Sequence, residues 1–323
     1  MEERASSGQA SSGEGALKGV GLTALLVAQA RAAERDRPDR LFDDPLAERF
    51  VERAGPSFLA SAAELAPVLR LRGNGRYFAI RTRFFDDCLL DAVKSGCRQV
   101  VLLGAGLDTR AFRLPLPSDA RLFELDLPDV LAWKAEVLAV ASAAPACRRV
   151  PVPVDLRGDW PGALAAAGFQ TAEPTAWLAE GILVYLTEAE RDQLVDSLGA
   201  LSAPGSRLVL EQRGVPTADP GSSTAPPQAS PNAARDRANR AGEVTAARFG
   251  VKTSADRPDP SMEDPGRWLA GHGWRATVVS AAEAFVRYGR PVPEAVEAGA
   301  VQLWLVSAER FWARRPRPDE TCL

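Results

Sequence analysis

A chain of 323 residues with 46% apolar side chains can bury a full core, as one large domain or one domain with a substantial insertion, which excludes wholesale disorder. Lys plus Arg number 39 and Asp plus Glu 42, for a net charge of -3 without long like-charge runs, so neither nucleic acid nor an anionic membrane is expected as the main partner. Four scattered cysteines (Cys88, Cys97, Cys147, Cys322) have no CxxC spacing, and the single histidine, His272, argues against a His-rich metal site or a Ser-His-Asp triad. No metal is therefore expected.

Residues 1–16 are rich in Ser, Gly, Ala and Glu and read as a flexible tail without the apolar core of a secretory signal. No apolar run reaches membrane-spanning length, so a cytoplasmic protein is expected. A helical cap is expected over 17–97. It holds "VGLTALLVAQARAAER" at 20–35, a helix capped by Asp44 with Pro45 at its first position and ended by Gly55, and the amphipathic "RYFAIRTRFFDDCLLDAVKSG".

Strands and helices then alternate over 98–213. The expected strands are Gln99–Leu103, Arg121–Leu125, Arg148–Val154, Thr175–Ala179 and Arg207–Glu211, with helices such as Pro128–Ala141 and Glu188–Leu201 between them. This alternation predicts a doubly wound parallel sheet. The segment 214–261 opens as a Pro- and Ser-rich linker or lid and contains a helical piece, Ala233–Phe249. Residues 262–323 return with "PGRWLAGHGW", a helix ending at a glycine, and two strands near Ala276–Ser280 and Val301–Ser307 that suit an antiparallel pair.

The chemistry begins at "VVLLGAGLDTRAFRL". A strand running into Gly104-Ala105-Gly106 lets backbone approach a ligand closely, yet Thr109 stands where a dinucleotide-binding loop has its third glycine. S-adenosylmethionine (SAM) has adenine, ribose and an amino acid end but no phosphate, so it does not need that helix end as an anion site. "RLFELDLPDV" places Asp126 about twenty residues after the turn, where an acid accepts from ribose hydroxyls. Glu124 shares its side of the strand, and a helix-capping role for Asp126 is the plain alternative.

Asp155 and Leu156 end the third strand, an acid and an apolar surface suited to adenine, with helix capping again the alternative. Glu180, at the end of "WLAE", can grip the cationic part of a cofactor or orient an acceptor. Its other reading is a solvated loop acid. Arg81 can pair with the cofactor's carboxylate, although Arg76 and Arg83 lie nearby and each alone reads as a solvated helix arginine.

Together, "TALLVAQARA", "LFDDPLAERFV", "RTRFFDD", "QVVLLGAGLDTRAFRL", "FELDLPDVLAWKAEVL", "VPVDLRGDW" and "PTAWLAEGILVYL" resemble the bacterial branch of the leucine carboxyl methyltransferase family. The resemblance implies an α/β, Rossmann-like seven-stranded SAM methyltransferase sheet with an N-terminal helical cap and an insertion after strand 5. It also implies SAM binding by Arg81, Gly104, Ala105, Gly106, Asp126, Asp155, Leu156 and Glu180. A carboxylate acceptor is already ionised at neutral pH and needs no general base, whereas a phenol gains from one. With one histidine, the expectation is O-methylation of a carboxylate on a small molecule or peptide. Glu180 and Tyr185 are the candidate catalytic residues, mainly for positioning, and Tyr288 is another phenol able to serve. Phenolic or polyketide-type metabolites are the alternative acceptors, and some bacterial relatives act on them. An NAD-dependent dehydrogenase and a non-catalytic SAM-binding module are the distant rivals.

Overall fold

The computed structural model of the chain describes residue 17 and residues 20–64, 75–214, 264–297 and 302–311. The expected N-terminal tail, most of the insertion, its helical piece Ala233–Phe249, and Cys322 lie outside these residues.

Three helices precede the sheet: α1 (Val20–Arg35), α2 (Pro45–Glu64) and α3 (Arg76–Lys94). Asp44 starts α2 as expected, because its Oδ1 accepts from the Ala47 amide at 3.1 Å. The expectation that Gly55 ends that helix is corrected: Gly55 breaks it with φ 77° and ψ -178°, and the helix resumes at Pro56 and runs to Glu64. Proline preorganises the first turn of the restarted segment, so the pair makes a kink rather than a stop.

The sheet strands are β1 (Gln99–Leu103), β2 (Arg121–Asp126), β3 (Arg148–Pro153), β4 (Thr175–Ala179), β5 (Arg207–Gly214), β6 (Trp274–Ser280) and β7 (Gln302–Arg310). Their order is β3-β2-β1-β4-β5-β7-β6. β1 to β5 are parallel, and β7 runs antiparallel to both β5 and β6. The intervening helices are α4 (Arg110–Arg113), α5 (Pro128–Val140), α6 (Trp160–Ala166), a 3-10 turn (Leu183–Tyr185) and α7 (Glu188–Ala200). After the insertion come α8 (Pro265–Gly271), α9 (Ala281–Arg287) and α10 (Glu294–Glu297).

β1 and β4 are buried along their whole length, so "QVVLL" and "TAWLA" read as continuous apolar runs rather than alternating ones. One sheet face, with Val100, Leu102, Leu122, Leu178 and Val209, packs against Ile80, Phe84, Phe85 and Leu89 of α3. The other, with Val101, Leu103, Phe123, Trp177 and Leu208, packs against Trp160 of α6 and Leu194 and Leu198 of α7. A third cluster joins Leu25, Ala28 and Phe50 of the cap to Leu107 and to Trp133, Val137 and Leu138 of α5. The cap is thereby anchored beside the turn that follows β1.

Candidate active site

The strand order reverses at β1, which pairs with β2 on one side and β4 on the other. The carboxyl ends of the strands flanking such a point form the crevice where open α/β sheets bind ligands. Here that rim carries Gly104 to Gly106 after β1, Asp126 at the end of β2, Asp155 and Leu156 after β3, Glu180 after β4 and Glu211 in β5.

Asp126 is 9% exposed, and one of its oxygens meets the glycine turn. Oδ2 accepts from the Gly106 amide at 2.6 Å and Oδ1 from the Leu127 amide at 2.7 Å. The capping alternative does not hold, because Leu127 is the N-cap of α5 and no side chain caps it. Burial raises the Asp126 pKa, and the two amide donors offset this only in part. Glu124, its rival on the strand, is fully buried and taken by Lys134 at 2.9 Å and Arg149 at 2.7 Å.

The glycine turn also makes room for side chains of the protein itself. Gly104 has φ 62°, and a Cβ there would sit 2.5 Å from Ile182 Cγ2, so the close approach is by a side chain from the loop after β4. Gly106, at φ 45°, faces Ala24 of α1, whose Cβ would lie 3.2 Å from an added one. Thr109, at the missing third-glycine position, donates to Asp44 Oδ2 at 2.7 Å. The helix it precedes, α4, has only four residues. A single turn offers little of the aligned dipole on which pyrophosphate-binding loops rely.

Glu180 belongs to a buried charge network rather than to a solvated loop. Arg81 Nη2 reaches its Oε1 at 2.9 Å and Arg110 Nη1 its Oε2 at 2.7 Å. Arg81 is 4% exposed and also donates to Glu211 Oε2 at 2.5 Å, while the Tyr77 hydroxyl donates to Glu211 Oε1 at 2.9 Å. Arg76 is exposed, and Arg83 is committed to Asp87 and the Leu41 carbonyl, so Arg81 is the one of the three that the fold turns inward. Burial would lift the Glu180 pKa, but Arg110 and Arg81 outweigh it and hold the carboxyl below its usual range.

Arg110, Asp108, Asp86, Glu211 and Tyr77 were not singled out from the sequence. Arg110 is 1% exposed, its Nε donates to Asp86 Oδ1 at 2.7 Å, and its Nη1 also meets Asp108. Glu211 carries the same signal as Glu180, an acid closing an apolar strand, and could have been found by it. Asp155 stands apart from this network: it is half-exposed and accepts from Arg157 Nη2 at 2.6 Å. It does not cap α6, whose N-cap is Asp159. Leu156 packs, partly buried, against the cluster that includes Val152 and Trp160. The Tyr185 hydroxyl lies 3.0 Å from Thr23 Oγ1 of α1.

A cofactor with an amino acid end fits these residues. Glu180 and Arg81 lie side by side as an acid and a base matched to a zwitterion, and Arg81 Nε and Arg110 Nη2 are buried donors without a hydrogen-bond partner among the described residues. Asp126 can accept from a ribose diol with the lone pairs its two amide donors leave over. Among the described residues no group of His, Cys, Asp and Glu is arranged to hold a metal ion, and no helix is long and apolar enough to cross a membrane.

His272 sits on the far side of the molecule. It follows α8 and precedes β6, whose first residue Trp274 pairs with Arg310, and the Arg310 amide in turn bonds the Ser206 carbonyl just before β5. That is the amino-terminal edge of the parallel strands, opposite the rim. The ring pairs there with Asp196 at 2.7 Å and Asp192 at 3.3 Å.

Known proteins share this fold or much of this sequence. A "Putative S-adenosyl-L-methionine-dependent methyltransferase" of Parafrankia sp. (strain EAN1pec) is 42% identical over 85% of this chain and 83% of its own. A protein of the same description from Mycolicibacterium paratuberculosis (strain ATCC BAA-968 / K-10) is 41% identical over 93% and 95%. In structure, the fold is shared by a putative methyltransferase from Thermobifida fusca YX, at 18% identity and TM-score 0.52 over 88% of this chain and 94% of that one. The leucine carboxyl methyltransferase family model matches residues 24–199, from α1 into the end of α7. With that match and the two relatives, the chain belongs to the leucine carboxyl methyltransferase family and is a methyltransferase.

Proposed function

We propose that this SAM-dependent methyltransferase delivers its methyl group to a carboxylate oxygen of a small molecule or peptide. Bound SAM supplies an electrophilic methyl on a positively charged sulfur; the S–CH3 bond breaks as the O–CH3 bond forms, leaving S-adenosylhomocysteine. The chain's own task is to align donor and acceptor and to exclude water. Arg81 and Glu180 would hold the amino acid end, Asp126 the ribose, and Asp155 with Leu156 the adenine side of the rim.

One observation carries the choice of acceptor. Glu180, the acid best placed to act as a base, is clamped between two guanidiniums and held ionised with a lowered pKa, which makes it a weak proton acceptor. The only histidine is at the opposite edge of the sheet. Tyr185 is engaged with Thr23 on the cap, and Tyr288 donates to Asp87 at 2.9 Å with its pKa pushed up by burial. An acceptor that is ionised without help suits such a site.

Incubation with SAM and matched panels of carboxylic acids and phenols tests this. The expected product is a methyl ester, cleaved by mild alkali with release of methanol. Its rate of formation should be flat from about pH 6 to 9, because a carboxylate of pKa near 4 is ionised throughout. An alkali-stable aryl ether, formed at a rate that climbs towards the phenol's pKa of about 10, would establish the phenolic reading instead.

A further inference from the structure

Arg110 is 1% exposed and touches Glu180 from the side opposite Arg81. It follows the glycine turn on α4, and its guanidinium joins three elements: Asp86 on α3, Asp108 in the turn itself, and Glu180 after β4. Asp86 is pinned in turn by Arg113, at 2.5 and 2.9 Å to its two oxygens. Glu180 is thus gripped from both sides, Oε2 by Arg110 and Oε1 by Arg81, with one further donor of Arg110, Nη2, buried and unshared among the described residues.

We propose that Arg110 is a positioning residue that fixes Glu180 in the orientation that grips the amino acid end of the cofactor. A carboxylate on a flexible side chain has several rotamers, and a charge-assisted hydrogen bond from Arg110 on one side with an ion pair to Arg81 on the other leaves it one. A planar guanidinium can do this while still bonding Asp86 and Asp108, because its five donors point in fixed directions. A lysine, with one compact charge, cannot serve all three acids in that geometry. The charged groups facing Glu180 are Arg81 from α3, Arg110 from α4 and Asp108 from the turn, and Glu211 of β5 lies behind Arg81. Of these, only the two arginines attract it.

The inference rests on the reading that Glu180 binds the cofactor's amino acid end, and the test separates the two. Calorimetric affinities are measured for SAM and for 5′-methylthioadenosine, which lacks that end. Arg110→Met should weaken SAM by about tenfold or more, as expected for a lost hydrogen bond to a charged group, and leave methylthioadenosine within about twofold. Glu180→Gln should show the same selective loss, and the double variant should lose no more than the worse single one. Equal losses for both ligands in Arg110→Met, or losses that multiply in the double variant, would overturn the positioning role. If Glu180→Gln left SAM affinity unchanged, the reading of Glu180 would fail instead. Should Arg110→Met not fold, Arg110→Lys carries the same comparison: a selective loss for SAM supports the role. A lysine variant that matches the native protein on both ligands, or is weakened equally on both, refutes it.

Discussion

Asp126 and Asp155 were read from the same signal, an acid at a strand tip, and the fold treats them differently. Asp126 is almost fully buried and turned to the Gly106 amide, whereas Asp155 is half-exposed and its pKa is lowered first by the side-chain hydrogen bond from Arg157. Periodicity cannot separate such cases, since it reports the face of a strand and not what stands over its end. Asp126→Ala should therefore weaken SAM about a hundredfold or more, the worth of two hydrogen bonds to a charged group, in a protein that still folds. An unchanged calorimetric affinity would remove Asp126 from the site. The pH dependence has a definite sign: because burial raises this carboxyl's pKa, SAM affinity should start to fall at a higher pH than the 3.8 of an ordinary aspartate would give, and Asp126→Asn should abolish that fall.

At the scale of elements, the turn between β1 and α4 combines a legible feature with a hidden one. "GAG" after an apolar strand marks it in the sequence, and both glycines do adopt positive φ. What they make room for was not legible: Ile182, seventy-eight residues on in the chain, fills the space over Gly104. Gly104→Ala should cost roughly 2–4 kcal/mol, combining left-handed strain with overpacking, read as a drop in denaturation midpoint. Ile182→Ala in the same chain should recover the overpacking part but not the backbone part. A Gly104→Ala protein as stable as the native one would mean that the turn relaxes freely. Gly55 teaches the same lesson in α2, where glycine followed by proline produced a kink because the resumed helix still had Phe58 to bury.

At the scale of the whole molecule, the cap is tied to the glycine turn by buried charge. Arg31 of α1 donates to Asp44 Oδ2 at 2.8 Å and to the Leu107 carbonyl at 2.6 Å, while Thr109 donates to the same Asp44 oxygen. Asp44 is completely buried, and Arg31 and Arg113 hold its pKa low against the effect of burial. Arg31→Met should destabilise the fold by about 3 kcal/mol, because removing one partner strands a buried carboxylate. Chemical denaturation measures this, and a loss under about 0.5 kcal/mol would show that Thr109 and Arg113 suffice for Asp44.

The sequence by itself determined the alternating architecture, all seven strands to within a few residues, the antiparallel pair at the end, and the family. These follow from local patterning: continuous apolar runs for strands buried on both faces, caps and prolines at helix starts, and glycine where φ must be positive. Tertiary structure alone decided which acids and arginines meet. Arg81 contacts Glu180 and Glu211 across roughly one hundred and more residues of chain, and Arg110 gathers Asp86, Asp108 and Glu180 into one cluster. Arg81, Asp86, Asp108 and Arg110 each alone look like an ordinary charge on a helix or loop, and the strand-tip acids Glu180 and Glu211 do not name their partners. Closing the sheet removes water from between them, and partners distant in sequence then set their orientation and ionisation.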